Sequence, residues 1–544
     1  MDKEKHTIGV FINNGCGTSL CDDEVGQIAD SVYFSGLVEK KNILFQKELG
    51  KRGFAFIKDE VKKRGFSRIV VAGYSPTFHA KGLEEIAVAS GLGYGAVKAV
   101  PLNMKWEQSD KDGFIIKSAS DIVRAIKAVE AVPEFEEKTI DLTGRVLVVG
   151  GGAAGIEAAF TCAKFGLEVI VIDQAHSLGG DLRFWNDIPM SSAFTPGNDV
   201  EGLEGVTVKT KTSLLQLTGS VGNYTAVIET DGDSGRTREE VKAGAIILAA
   251  GLKTDIDFPQ ELYEVMKSSF AEPMDQIVEK VRELPRRPEV RSIGLVLDLY
   301  VDETKASTEM ALAIANTIQD ADRFQVHIFL RDVRVAAKGL QQYYDMVRDS
   351  GVNIVKYNTI NFQTAEDGIQ IQAYDSVLFQ DIDYFCDLVG ISGYGLPRAV
   401  DQELLDITGV LPDKTGKMQE NNIHLFPVET NRPGIFVAGA NRGTLYVSRV
   451  IEEARAAAIS VHELLQAKTM KIICNQVQVD PDKCVLCLTC VRCCPYNAMH
   501  IDRENGVAVS YPEECQKCGI CAGECPAKAI TLPEYSDEVI ALQL

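Results

Sequence analysis

Eight cysteines near the end of the chain are the residues best equipped for chemistry. Cys484, Cys487, Cys490 and Cys494-Pro495 are spaced C-x2-C-x2-C-x3-C-P, and Cys515, Cys518, Cys521 and Cys525-Pro526 repeat the pattern. Such close spacing lets one tight loop wrap three thiolates around a cubane, and the proline turns the chain away after the fourth. In the two-cluster ferredoxin arrangement that fourth cysteine crosses to the other cluster. One [4Fe–4S] cluster is therefore expected on Cys484, Cys487, Cys490 and Cys525, and a second on Cys515, Cys518, Cys521 and Cys494. Structural zinc sites use two ligand pairs separated by a longer gap, which this pattern lacks. Cys493 also lies three residues after Cys490 and is an alternative to Cys494; the Cys-Pro pair repeated at Cys525-Pro526 favours Cys494.

A second chemical pattern lies upstream. Gly150-x-Gly152-x-x-Gly155 stands between an apolar strand, Arg145 to Val149, and a helix-like run, Ile156 to Phe165. The first glycine permits the tight turn, the second lets backbone approach a pyrophosphate, and the third lets helix and strand pack closely; the helix N-terminus adds partial positive charge. Asp173 ends the next strand, eighteen residues after Gly155. A carboxylate there accepts hydrogen bonds from ribose hydroxyls, which argues for FAD or NAD(H) over NADP(H). Ala153 and Ala154 lie in the turn itself, and Gly180, Gly251, Gly439 and Ala440 are further candidate cofactor contacts.

These residues need elements to hold them. Residues 1–132 alternate short β-rich runs (Ile8 to Ile12, Arg68 to Ala72, Ala96 to Val100) with helix-like stretches such as Phe54 to Arg64 and Gly82 to Ser90, giving a small α/β domain. Val132 to Gly144, charged and carrying Pro133, has no periodicity and reads as a linker. Residues 144–288 hold the first part of a dinucleotide-binding domain. Residues 289–375 read as an inserted α/β domain, 376–466 as the second part, and 474–534 as an α+β two-cluster ferredoxin domain. A proline-marked crossover (Pro285, Pro288) precedes the strand Ile293 to Leu297, and Val326 to Leu330 is another strand. The strand Gly434 to Ala438 leads to a helix over Val450 to Leu465. Alternating strands and helices favour parallel sheets. Beyond Gln466, cysteine, proline and glycine replace the apolar residues of a conventional core, so metal ligation must hold the tail together.

The runs Ala245-Ile-Ile-Leu-Ala-Ala-Gly251 and Gly434-Ile-Phe-Val-Ala-Gly439 resemble the later signatures of the two-dinucleotide-domain flavoproteins, the thioredoxin reductase and glutathione reductase relatives. That resemblance implies a discontinuous, Rossmann-like FAD domain interrupted by a nucleotide domain. Where such an insert would open with its own GxGxxG, this chain reads Ile293-Gly-Leu-Val-Leu-Asp-Leu-Tyr300, so NAD(P)H binding there is not expected. No C-x2-C pair lies outside the tail, and the C-x4-C pair Cys16 and Cys21 lies upstream of the dinucleotide unit rather than within it, so no dithiol of a disulfide reductase is expected.

Lys and Arg number 56 against 77 Asp and Glu, a formal charge of -21. That sign repels nucleic acid and anionic membrane and leaves proteins or small molecules as partners. No apolar run reaches the roughly 18 residues needed to cross a bilayer. The N-terminal Met-Asp-Lys-Glu-Lys-His lacks an apolar signal region, and thiols available as ligands suit a reducing compartment, so a cytoplasmic location is expected.

The order of domains resembles the A subunit of heterodisulfide reductase and its relatives in quinone-interacting membrane-bound oxidoreductases and benzoyl-CoA reductase complexes. The marks are Gly9-Val-Phe-Ile with Gly15-Cys-Gly17, Arg68-Ile-Val-Val-Ala-Gly-Tyr-Ser-Pro76, the turn Gly150 to Gly155, Arg331-Asp-Val-Arg-Val-Ala-Ala-Lys-Gly339, and Gly434 to Gly439. The resemblance implies FAD and [4Fe–4S] electron transfer inside an anaerobic multisubunit complex. It also implies partners like the B and C subunits of that reductase, a homodimer within the assembly and, in some members, division of electron pairs between high- and low-potential acceptors. Lys338 resembles a lysine placed near the flavin ring, where a cation stabilises reduced, anionic flavin; a solvated surface lysine is the alternative. Members often carry cysteine before the Ser-Pro of the first domain; here Tyr74 stands there and only Cys16 and Cys21 remain in that domain, so no cluster is expected outside the tail. Two rival readings are a stand-alone NAD(P)H-dependent oxidoreductase, resembling the small subunit of glutamate synthase, and an adaptor whose clusters only wire other subunits.

Overall fold

The computed structural model describes residues 6–13, 21–47, 50–74, 80–93, 95–102, 111–180, 200, 202–232, 235–251, 260–274, 276–284, 291–299, 305–319, 323–392, 401–414, 416–418, 427–443 and 446–542. Gly15-Cys16-Gly17, Ser75-Pro76 and the crossover prolines Pro285 and Pro288 lie outside the described residues. Two compact units form: residues 1–140 with 471–544, and residues 141–470.

In the first unit, four parallel strands run in the order Ile43–Gln46, Ile8–Asn13, Arg68–Ala72, Val97–Val100. The strand Ile8–Asn13 is buried at every position, as a strand covered by helices on both faces must be. The helix Lys111–Ala131 presents Ile115, Ala119, Ile122 and Ile126, spaced at three to four residues, to one face. The tail belongs to the same unit. Its last helix, Asp537–Ala541, seats Val539 against Ala128, Val132 and Phe135, beyond the limit expected at residue 534. The stretch read as a linker contains a strand, Glu137–Asp141, because it pairs with a segment distant in sequence.

The second unit has two central sheets. Five parallel strands are ordered Ile435–Val437, Ala245–Leu248, Arg145–Val149, Glu168–Ile172, Val206–Lys209, a doubly-wound arrangement. Val146, Leu147 and Val148 are fully buried, each contributing about 1.5–3 kcal/mol of apolar burial. An antiparallel three-stranded sheet spans Thr212–Ser220, Asn223–Gly232 and Gly235–Ala243. Its alternating pattern went unread in the sequence, because the outer strand Gly235–Ala243 is exposed at most positions.

The inserted domain is wider than residues 289–375. Its seven-stranded sheet runs Ala271–Pro273, Leu388–Ile391, Arg291–Val296, Phe324–Leu330, Asn353–Thr364, Ile369–Asp375, Gln380–Cys386. The boundaries drawn at 289 and 375 therefore cut through one sheet. Ala271–Pro273 pairs in parallel with Leu388–Ile391, a long-range register that local composition does not reveal.

Candidate functional site

The two cysteine motifs fold as structural copies offset by 31 residues, as from Cys484 to Cys515. Left-handed backbone occurs at Leu486, Leu488 and Asn497 in the first copy and at Lys517, Gly519 and Lys528 in the second. Five of those six are not glycine, and each such residue costs on the order of 1–3 kcal/mol. The Cys484 amide donates to the Asp480 carbonyl at 3.0 Å and the Cys515 amide to the Tyr511 carbonyl at 3.1 Å. Each motif then enters one short helix, Thr489–Cys493 or Ile520–Glu524, and the residue that ends it is Cys494 or Cys525.

The fourth cysteines are equivalent in detail. The Ala498 amide donates to Cys494 Sγ at 3.3 Å, and the Ala529 amide donates to Cys525 Sγ at 3.3 Å. Cys493 corresponds instead to Glu524. Its Sγ lies 3.6 Å from the Cys490 carbonyl, one helical turn back.

The copies interlock. Cys484, Cys487 and Cys490 line one apolar cavity together with Cys525 from the other copy, alongside Val479, Leu486 and Ile530. Burial first, with Cys484 and Cys487 as neighbours, pushes the Cys490 thiol up. On the other side burial pushes the Cys521 thiol up to about 12, helped by Cys494, Cys515, Cys518 and Cys493. Cys490, Cys521 and Cys525 also form part of the tail's small core with Val477, Met499 and Ile530. Among the described residues, no three His, Cys, Asp or Glu side chains converge as a site for a single ion; the first thiol set lines a cavity instead. Thiols as donors and a strained cradle offset by ligation suit [4Fe–4S] clusters.

The glycine turn lies at the carboxyl ends of the five-stranded sheet. Gly150 has φ +104°, and a Cβ there would meet the Ala249 carbonyl oxygen at 2.3 Å. A Cβ at Gly155 would lie 1.8 Å from the Gly150 carbonyl oxygen, whereas one at Gly152 would meet no atom within 4 Å. Gly152 caps the helix Ala153–Lys164, which has no side-chain cap and no acidic residue in its first turn. The amides at Ala153, Ala154 and Gly155 thus open on space shaped for backbone approach by a phosphate. A Cβ added at Gly251 would meet open space as well, and one added at Gly180 would lie 3.4 Å from the Gly152 Cα. This glycine cradle fits the pyrophosphate of FAD.

Asp173, expected at the ribose, is held by backbone amides of its own loop and the glycine turn. Its Oδ2 accepts from the Gly151 amide at 2.5 Å and its Oδ1 from the Ala175 amide at 2.7 Å, so the carboxylate fixes the loop. Gly439 and Ala440 form a short turn after Ile435–Val437. Glu453, buried in the helix Val447–Leu465, receives the Gly439 amide at 3.4 Å and pairs with Arg442 at 2.7 Å. Glu157, 1% exposed, pairs with Arg455 at 2.6 Å and joins the two helices of the flavin domain. Sequence reasoning missed both carboxylates. The available signal was an acidic residue on the face that periodicity assigns to the core, as Glu453 among Ile451, Ala454 and Ala457.

Lys338 is exposed, in the loop between Phe324–Leu330 and the helix Leu340–Asp349. Asp298, 1% exposed, anchors that loop, accepting the Arg331 amide at 3.0 Å and Arg334 Nη1 at 3.1 Å. The Ala336 amide donates to Tyr446 Oη at 3.0 Å, tying the loop to the start of the 447–465 helix. Beside it the buried Glu309 accepts the Val447 amide at 2.9 Å. Burial pushes the Glu309 carboxyl up to about 7, against the opposing pull of that amide.

Between its unfolded value and about 7 the folded protein therefore binds a proton that the unfolded chain has lost, so stability falls as pH rises through that window. Glutamine can accept the same amide without the charge. Glu309→Gln is expected to leave melting unchanged near pH 4 and to stabilise the second unit by about 3 kcal/mol at pH 8. Calorimetry across that range checks it, and an unchanged difference between wild type and variant at every pH would refute it.

Comparison with known proteins places these sites in context. Residues 96–269 match the pyridine nucleotide-disulphide oxidoreductase family, and residues 476–526 match the 4Fe-4S dicluster domain. The chain is 22% identical to the iron-sulfur A 2 subunit of the CoB--CoM heterodisulfide reductase of Methanopyrus kandleri, over 94% of this chain and 93% of that protein. It is also 22% identical to the A subunit of the ferredoxin/F(420)H(2)-dependent CoB-CoM heterodisulfide reductase of Methanosarcina acetivorans, over 91% of this chain and 75% of that one. Among solved structures, Lactococcus lactis thioredoxin reductase aligns over 60% of this chain and 100% of its own, with 16% identity and a TM-score of 0.42. The likeness to heterodisulfide reductase A subunits thus extends along nearly the whole chain. A flavin-type redox fold and an iron–sulfur domain are combined in one oxidoreductase polypeptide, with FAD and [4Fe–4S] centres as its cofactors. No helix among the described residues is long and apolar enough to cross a membrane.

Proposed function

We propose that this chain is the FAD- and iron–sulfur-bearing electron-transfer subunit of a multisubunit oxidoreductase of the heterodisulfide reductase A type, working in a reducing cytoplasm. One [4Fe–4S] cluster is held by Cys484, Cys487, Cys490 and Cys525, the other by Cys494, Cys515, Cys518 and Cys521. The observation that carries the reading is the cavity shared by three cysteines of one motif and the fourth of the other. When bound, flavin exchanges electrons in pairs or singly and each cubane exchanges one, which lets a two-electron donor feed one-electron acceptors.

The chain's own residues bind and orient. Gly150, Gly152 and Gly155 admit the pyrophosphate, the amides of Ala153 and Ala154 face it, and Asp173 holds the loop and accepts a ribose hydroxyl. Gly180, Gly251, Gly439 and Ala440 are further backbone contacts, and Lys338 is the cation offered to the flavin ring. No acid, base or nucleophile is required. Partners are other iron–sulfur or flavin subunits, like the B and C subunits of the same reductase, with a second copy of this chain in the assembly.

Asp298 speaks against a stand-alone NAD(P)H oxidase or reductase. A buried carboxylate engaged with Arg334 follows the strand Arg291–Val296, where a nicotinamide dinucleotide would need an open glycine turn. Anaerobic stopped-flow of the isolated chain is expected to show no rapid flavin bleaching by NADH or NADPH, with about one FAD and about eight iron atoms per chain. Rapid bleaching by either nucleotide would overturn the subunit reading. About twelve iron atoms would establish a cluster outside the tail.

A further inference from the structure

The duplicated tail carries its own internal control, because every position in one copy has a counterpart 31 residues away. Most of what surrounds the thiols is matched: the left-handed residues, the amides on the first cysteines, and the amides of Ala498 and Ala529 on the fourth. Of the hydrogen bonds described at the eight ligand sulfurs, one is not matched. Thr489 Oγ1 lies 3.4 Å from Cys487 Sγ, and the counterpart of Thr489 is Ile520, whose side chain has no hydroxyl.

A cysteine ligand is a thiolate and can only accept, so the Thr489 hydroxyl donates to it. That bond withdraws negative charge from the sulfur. It stabilises the reduced, more negative form of the site over the oxidised one, which raises the reduction potential. Fixed charge does not cancel the difference. Lys483 and Arg492 face Glu514 and Gly523 in the repeat, and Leu486 and Asn497 face Lys517 and Lys528, so each copy has two cations that the other lacks. The hydroxyl remains as the difference.

We propose that Thr489 is a potential-setting residue, and that its hydroxyl makes the Cys484–Cys487–Cys490–Cys525 site the more easily reduced of the two. No bond forms or breaks; one electron is shared between two sites, and its resting place is the first. The inference rests on the two-cluster reading above.

Potentiometric titration of the full chain, followed by electron paramagnetic resonance, tests it. Wild type is expected to give two separable midpoints. Thr489→Val lowers the higher midpoint alone, so that at the old midpoint the ratio of reduced to oxidised site falls about fivefold, the usual net weight of one hydrogen bond. At about 59 mV per decade for one electron that is about 40 mV. Thr489→Ser keeps the wild-type midpoint, and Ile520→Thr raises the lower one. The proposal fails if Thr489→Val leaves both midpoints in place, or if it shifts the lower one. Iron content is read in parallel. A wild-type chain with only about four iron atoms refutes the two-cluster reading itself, whereas eight iron atoms with unmoved midpoints refute only the role of Thr489.

Discussion

Cys494→Ala is expected to cost the chain one of its two clusters, leaving about four of about eight iron atoms, while Cys493→Ala keeps all of them. The two thiols are adjacent, yet the fold treats them differently. Cys494 ends its helix and receives the Ala498 amide, as Cys525 ends the matching helix and receives the Ala529 amide. Cys493 sits inside the last turn with its Sγ directed at the Cys490 carbonyl. Because the fourth cysteines cross over, Cys525→Ala should empty the site built mainly on the first motif, whose cavity it lines.

The loss should not stay local. Leu486, Leu488, Asn497, Lys517 and Lys528 hold left-handed backbone, at on the order of 1–3 kcal/mol each, and three members of the small tail core are cysteines. Ligation offsets that cost, so an emptied site should also open the tail to protease. Iron and acid-labile sulfide per chain, with limited proteolysis, measure both effects. Loss of iron from Cys493→Ala with full retention in Cys494→Ala would reverse the assignment.

In the glycine turn, Gly152→Ala and Gly155→Ala should both lower bound FAD by more than about tenfold, but for different reasons and with different effects on stability. At Gly155 the new methyl would lie 1.8 Å from a backbone oxygen, so strand and helix must separate. Melting of the second unit should fall, since overpacking of this kind costs about 1–3 kcal/mol or more. At Gly152 the methyl meets no protein atom, and its φ of -77° is open to any residue. Gly152→Ala should therefore fold with unchanged apoprotein melting, and its methyl should intrude only on the ligand. Flavin absorbance per chain and calorimetry of the apoprotein separate the two variants. Full FAD content in Gly152→Ala would mean that the pyrophosphate does not approach there.

Much of this was legible from residues close together in the chain. Cys484, Cys487 and Cys490 must wrap one site because the covalent loop between them is too short to do otherwise. Gly150, Gly152 and Gly155 read as a phosphate turn because strand, turn and helix are contiguous. The limits of the inserted domain were not legible, since Ala271–Pro273 and Leu388–Ile391 join its sheet through pairing across more than a hundred residues. Nor were the buried charges. Asp298, Glu309, Glu157 and Glu453 are unremarkable acids in the sequence, and each acquires meaning only from a partner on another element: Arg334, the Val447 amide, Arg455 and Arg442.

The sequence by itself determined the donor chemistry, sulfur for iron and backbone amide for phosphate, because ligand type and local spacing are properties of the covalent chain. Tertiary structure alone decided that Cys525 lines a cavity with three cysteines of the other motif and that Cys493 points into its own helix. It also decided that the Lys338 loop is tied down by Asp298 and Tyr446. Those outcomes depend on which distant segments close against one another, and a side chain's neighbours across such a closure are fixed only when the whole fold has formed.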